Sequence, residues 1–265
     1  DPVSFYMQIK TETYGKAKIV KTSEDGIVEG ISFQITGNGV DETVVTGKDG
    51  TISKDLLPGT YLVTEKPVDR YVTPASQYVT IESGQTSSVQ FSNILKKFRV
   101  LVHKADADTG TAQGDASLAG AKYGLYKGGE LIDTFTTGPD GSFMTGYYVC
   151  GDDWTLREIE PSNGYLLDET VHEVGASPSL YEVELNTTEN NVTEKVIYGN
   201  IQIVKHTDEK DPDVNDSEHS DDANAGIIEK PEEGAVFEVY LTNSGSYEEA
   251  KESERDLLTT DSDGF

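Results

Sequence analysis

The sequence predicts an all-β protein, a tandem series of antiparallel β-sandwiches, and three observations carry that reading. With 26 Gly, 14 Tyr and only 35% hydrophobic residues, the composition favours pleated strands and turns over helices. Short alternating apolar runs are punctuated by Asp-Gly and Pro signals, the mark of strands joined by tight turns. One phrase also returns three times along 265 residues, with its Lys positions 83 and then 101 residues apart. That period suits domains of about 100 residues, each able to bury a core of its own.

Taken in order, residues 1–14 alternate Val3, Phe5, Met7 and Ile9 and read as the C-terminal strand of a preceding domain. Both ends of the chain read as cuts through a longer protein. A first repeat is expected over 15–97, a second over 98–198, and a truncated third with an acidic insertion over 199–265. Each opens on a strand ending in Lys: Ala17-Lys18-Ile19-Val20-Lys21, Val100-Leu101-Val102-His103-Lys104 and Ile201-Gln202-Ile203-Val204-Lys205. An acidic, Gly-containing stretch follows, then a second strand: Gly30-Ile31-Ser32-Phe33, Gly120-Ala121-Lys122-Tyr123 and Gly234-Ala235-Val236-Phe237. Turns at Asp49-Gly50, Asp140-Gly141 and Asp263-Gly264 come next, and in the first two repeats a strand ending in Glu, at Glu65 and Glu158. The Glu/Lys/Ala-rich run Ser246 to Leu258 departs from the pattern and is expected to form an inserted surface helix.

Side chains alternate between the faces of a strand. Ile19 therefore shares a face with Lys21, and Val100 and Val102 with Lys104. Tyr61 and Val63 share one with Glu65, Trp154 and Leu156 with Glu158, and Val89 and Phe91 with Asn93. Three polar groups that cost several kcal/mol to bury alone are thus placed at the ends of apolar rows. A buried Lys-Glu salt bridge hydrogen-bonded to Asn is one reading, although an apolar replacement of such a pair often does as well. Chemistry is the other. Burial lowers a Lys pKa and raises that of Glu, so a neutral, nucleophilic amine would face a protonated acid. That acid could polarise the Asn carbonyl and relay protons as ammonia leaves. The product is an amide, made once per domain without turnover, so the chain reads as no enzyme in the ordinary sense.

The Lys-acidic-Gly opening, the Gly-Ala-x-Phe/Tyr strand, the Thr-x-x-Asp-Gly turn and the Glu before Pro and Tyr (Glu65 to Tyr71; Glu158 to Tyr165) resemble the Cna B-type or SpaA-type repeats of Gram-positive pilins and adhesins. The resemblance implies transthyretin-like, Ig-like sandwiches and, in many members, a Lys-Asn isopeptide bond catalysed by an acid. Carried over by position, Lys21 would be the nucleophile, Glu65 the catalytic acid and Asn93 the acceptor. In the second repeat Lys104 and Glu158 match. The acceptor stays open between Glu194, which lies 11 residues before Lys205 as Asn93 lies before Lys104, and Asn200. A charge network of Lys104, Glu158 and Glu194 is the competing reading. In the third repeat only Lys205 is present, without a partner. The function implied is that of stalk modules of a surface adhesin or pilin, extracellular and held to the cell wall by regions outside this chain. The alternative is a set of domains that bind a host extracellular-matrix or cell-surface ligand.

The formal charge of -27 rises toward the C-terminus, from about -1 over 15–97 to -11 over 98–200 and -14 over 201–265. So anionic a chain repels phosphate backbones, which excludes a nucleic-acid partner through a basic groove. No apolar run is long enough for a membrane segment, and an isolated fragment is expected to be monomeric. The lone Cys150 precludes an intrachain disulfide and is expected to be buried structurally. Asp211, Asp213, Asn215, Asp216 and Asp222 partly follow an EF-hand loop, but Asp216 stands where Gly is required. The four His are scattered. No metal and no cofactor is expected.

Overall fold

The computed structural model describes residues 13–210 and 227–265. Most of the expected strand at 1–14 and most of the acidic stretch considered for calcium lie outside the described residues.

The first unit runs β1 (Gly15–Ser23), β2 (Ser32–Gly37), β3 (Val40–Val45), β4 (Thr51–Leu56), β5 (Gly59–Glu65), β6 (Tyr71–Val72), β7 (Gln77–Ile81) and β8 (Thr86–Leu95). It forms two four-stranded sheets, β4-β1-β8-β6 and β3-β2-β5-β7. The expected alternation is visible as burial: every second residue of β5 and β8 faces the core. Ile19, Phe33, Ile35, Tyr61, Val63 and Phe91 fill the space between the sheets, with the Phe33 and Phe91 rings 5.0 Å apart. β1 pairs antiparallel with β4 and parallel with β8, so the first and last strands of the unit lie side by side.

The second unit repeats this plan with β9 (Lys97–Asp106), β10 (Lys122–Lys127), β11 (Glu130–Thr136), β12 (Ser142–Met144), β13 (Tyr148–Val149), β14 (Trp154–Glu160), β15 (His172–Glu173) and β16 (Leu185–Glu194). One sheet is β11-β10-β14-β15. In the other, β9 lies between β12 and β13 on one side and β16, parallel to it, on the other. Cys150 is buried in this core beside Phe98 and Trp154.

Only Lys96 separates β8 from β9, and this joint is stapled from both sides. Lys96 N–H donates to Arg70 O, while its Nζ donates to Pro178 O in the second unit. Lys97 Nζ reaches Glu24 Oε1 at 2.6 Å and Glu184 Oε1 at 3.4 Å, one carboxylate from each unit.

After residue 199 the chain forms two hairpins, β17 (His206–Lys210) with β18 (Ile227–Pro231) and β19 (Val236–Tyr240) with β20 (Arg255–Thr259). Two expectations are corrected here. Residues 201–205 form no strand, and Ile201 and Val204 are 67% and 52% exposed. Their counterparts in β1 and β9 each lie between two neighbouring strands, and none pairs with 201–205 among the described residues. The run Ser246 to Leu258 is not a helix. It turns through Glu252–Glu254 and continues as β20, because β19 requires an antiparallel partner and that pairing outweighs local helix propensity.

A small lock recurs in all three units. Thr46 Oγ1 accepts the Ile31 N–H and donates to Val28 O. Thr137 does the same with Ala121 and Leu118, and Thr260 with Ala235 and Glu232. The repeat Lys closes the motif through its backbone N–H, which donates to Gly50 O, Gly141 O or Gly264 O. The third unit thus builds the local geometry of the other two around Lys205.

Candidate functional site: a buried lysine between the sheets

In the first unit Lys21 comes from β1 and Glu65 from β5 of the opposite sheet, both with buried side chains, 0% and 2% exposed. Lys21 Nζ lies 3.0 Å from Glu65 Oε2, yet neither atom is aligned for a hydrogen bond. On β8, Asn93 pairs with Ser23, two residues beyond Lys21 on the adjacent parallel strand, and its side chain is buried. Both Asn93 Oδ1 and Nδ2 lack a hydrogen-bond partner. Burial pushes the Lys21 ammonium below its ordinary pKa, against the opposing pull of Glu65. Orphaned polar atoms of this kind are uncommon in folded proteins, and each calls for a physical explanation, a chemical role among them.

The second unit superimposes the same logic on a different set. Lys104 of β9 and Glu158 of β14 are fully buried, with Nζ 3.6 Å from Glu158 Oε1. Glu194 of β16 pairs with Asp106, two residues beyond Lys104, and so stands where Asn93 stands in the first unit. Its Oε2 is in direct contact with Lys104 Nζ, and its Oε1 accepts a hydrogen bond from Tyr123 Oη at 2.6 Å. The Asp168 N–H donates to Glu158 Oε2 at 2.8 Å. Burial lowers the Lys104 pKa and raises that of Glu158. The Tyr165 ring lies under Lys104, 4.7 Å from Nζ.

Of the sequence-derived residues, Lys21, Glu65 and Asn93 converge in the first core, and Lys104, Glu158 and Glu194 in the second. Asn200 does not join them: it is exposed beyond the end of β16. Lys205 is also outside a core, but it has a partner that sequence reasoning did not name. Its Nζ lies 3.0 Å from Glu232 Oε2, both side chains more than a third exposed. Tyr123 was missed as a site residue. The signal was available in the repeat alignment, where Tyr123 replaces Phe33 just as Glu194 replaces Asn93. Among the described residues no group of three or more His, Cys, Asp or Glu is placed to hold a metal, and no helix is long and apolar enough to cross a membrane.

With this geometry in view, the sequence matches the family described as SpaA, prealbumin-like fold domain, twice, over residues 15–94 and 99–192. No curated protein sequence matches the chain. Among solved structures, the Bacillus anthracis TIE protein aligns with a TM-score of 0.60 at 19% identity, covering 95% of this chain and 42% of its own. A C-terminal fragment of the pilus adhesin SpaC from Lactobacillus rhamnosus GG aligns at 12% identity and a TM-score of 0.49, over 72% of this chain and 100% of the fragment. The minor pilin GBS52 of Streptococcus agalactiae aligns at 15% identity and a TM-score of 0.33, over 72% of this chain and 100% of its own. The chain therefore spans less than half the length of the TIE protein with which it shares its fold.

Proposed function

The chain belongs to the family of SpaA prealbumin-like fold domains, and from that premise we propose that it supplies stalk or shaft modules to a surface protein of a Gram-positive bacterium, with the first module joined internally by a Lys21–Asn93 amide. The observation that carries this reading is the buried set of Lys21, Glu65 and Asn93, three polar side chains in an apolar core whose facing atoms include several without hydrogen-bond partners.

The chemistry follows from their placement. The neutral Lys21 amine attacks Asn93 Cγ, forming a C–N bond. Glu65, 3.0 Å from Nζ, takes the proton the amine sheds and delivers it to the departing amide nitrogen. Ammonia leaves, Glu65 ends as it began, and the secondary amide remains. Placement in a dry core supplies the orientation and the excluded water that this reaction needs. Because β1 and β8 are adjacent and parallel, the link would tie the first strand of the module to its last.

Intact-mass measurement of the full chain, followed by a tryptic map, tests the reading. A branched peptide holding Lys21 and Asn93, lighter by one ammonia, is expected, and Glu65→Ala should abolish it while the fold persists. Two linear peptides carrying unmodified Lys21 and Asn93 would leave the buried ion pair as the correct description.

A further inference from the structure

The backbone between the first two modules narrows to a single residue. Lys96 gives its N–H to Arg70 O of the first module, while its own carbonyl accepts the Cys150 N–H of the second. Lys97 already belongs to the second module, its N–H bonded to Glu184 O and its carbonyl to Asn186 Nδ2. Rotation of one module against the other is therefore left to φ and ψ of Lys96. No residue is shared by the two apolar cores. Beside Lys96 a groove of about 410 Å³ stays open between the modules, with Asp69 and Thr73 of the first along it and Ser179 and Glu182 of the second. Such a joint has both an axis and room to turn.

We propose that Lys97 and Glu24 form an ionic latch on this hinge, so that acid or high salt frees the second module to swing on the first while both cores remain folded. Lys97 Nζ crosses the joint to Glu24 Oε1 at 2.6 Å and is aimed there by Glu184 of its own module, 3.4 Å away. Among the described residues no other ion pair joins the two modules. Two side-chain contacts thus restrain the hinge: this pair, and the bond from Lys96 Nζ to Pro178 O, which carries no titrating acceptor. The inference holds whether or not Lys21 and Asn93 are joined.

An exposed ion pair is ordinarily weak, because two long side chains must be ordered to make it. Here the Glu24 side is ordered in advance. Its N–H donates to Asn93 O and its Oε2 accepts the Leu95 N–H at 2.9 Å, so it grips the end of β8 at two places. The bond from Lys97, with that from the Leu95 N–H, holds the Glu24 carboxyl below its ordinary pKa, and the bond to Glu24 lifts Lys97 above its own. A depressed carboxyl keeps its contribution above the ordinary carboxylate range and loses it as pH falls through the native value, so acid opens the latch. The other charges nearby do not replace it. Asp25 beside Glu24 pairs with Arg70 on the same module at 3.5 Å, and Asp69 and Glu182 lie along the groove without a partner across the joint. The next joint follows the same plan with a neutral group. Tyr198 lies 7 residues before Lys205, as Lys97 lies 7 before Lys104, and its Oη donates at 2.8 Å to Asp108 in the loop after β9. An ammonium at this position in the first joint is what makes that joint sensitive to screening.

Residual dipolar couplings of the full chain in a stretched neutral gel test the latch, with the amide shifts of each core reporting that it stays folded. In the wild type at neutral pH and low salt, couplings from residues 15–95 and 97–194 should fit one alignment tensor. Glu24→Gln keeps an acceptor for the Leu95 N–H and removes the charge, and Lys97→Met removes its partner. Each should shift the ratio of latched to swinging joint by roughly two- to fivefold, the usual effect of losing one exposed pair, and so lower the alignment of one module relative to the other. Sodium chloride at about 1 M, where the screening length is about 3 Å, should do the same to the wild type without any substitution. A single tensor that persists in both variants and in salt would overturn the inference. So would two independent tensors in the wild type at low salt, or loosening by salt that neither variant reproduces.

Discussion

Replacing Glu65 by Gln should cost the first module far more than an ordinary buried substitution. The exchange keeps the size of the side chain and removes the proton relay, so Lys21 and Asn93 stay separate. A link between them closes a loop of about 72 residues, and the chain-entropy relation for cross-links gives about 4 kcal/mol for that length. For a domain of this size each kcal/mol moves the melting temperature by about 4–8 °C, so a fall of roughly 15–30 °C is expected. Some of the loss would come from a buried Lys left facing a neutral amide. The double variant Lys21→Met, Glu65→Gln removes both charges and isolates the loop contribution. Calorimetry of the full chain is the assay, because the single Trp154 lies in the second module and its fluorescence transition should stay in place. If the wild type and Glu65→Gln melt within about 2 °C of each other and have equal peptide maps, no cross-link contributes and the reasoning fails.

Three further outcomes follow from the same structure. Thr46→Val preserves shape but strands the Ile31 N–H and Val28 O, which Thr46 Oγ1 now satisfies, and should destabilise the first module by about 1–3 kcal/mol per group in chemical denaturation. Gly50→Ala should be at least as harmful, since φ there is +70° and a Cβ would stand 2.7 Å from Lys21 O; wild-type stability would refute the strain. Asp106 is pushed up by burial, but its hydrogen bonds from Thr109, Asp108, Gln113 and Tyr165 outweigh that and hold its carboxyl below the ordinary value. A depressed native pKa gives stability that is present above the unfolded carboxylate value and lost as pH falls through the native one. Denaturation followed by Trp154 should therefore show a loss of stability as pH falls below the ordinary carboxylate range, and Asp106→Asn should flatten it.

What the sequence made legible depends on how local the cause is. The inward placement of Lys21, Glu65 and Asn93 needs only the two-residue period of a strand, and that period holds across β5 and β8. Glu194 was reached by counting back from Lys205, and the count works because β16 lies parallel on β9 in the register that β8 keeps on β1. Asn200 was a rival because alternation does not reveal where a strand stops; β16 ends at Glu194. Residues 201–205 show the same limit in reverse. Their alternation equals that of β1, but a strand exists only where neighbours accept its hydrogen bonds. Ser246 to Leu258 was misread because helix propensity is local and the demand of β19 for a partner is not. Tyr123 was overlooked because Phe and Tyr were treated as one apolar class, although only one of them can donate to Glu194.

The Lys21–Asn93 link proposed above and the joint between the two units have a common mechanical consequence. A chain pulled along its length would enter the first module on β1 and leave on β8, strands that lie parallel and adjacent. A Lys21–Asn93 link would carry the load across after a few residues, so the turns and strands from 22 to 92 would bear none. The load would then run from Asn93 through Lys96 into β9. The stretch just after Asn93 is held by Lys97 between Glu24 and Glu184 and by Lys96 between Arg70 and Pro178. These contacts brace the joint, where the proposed covalent path would leave the backbone to carry the tension alone. The stalk role proposed for this chain would make use of such contacts, because a module that transmits force needs its joint to its neighbour held on both sides.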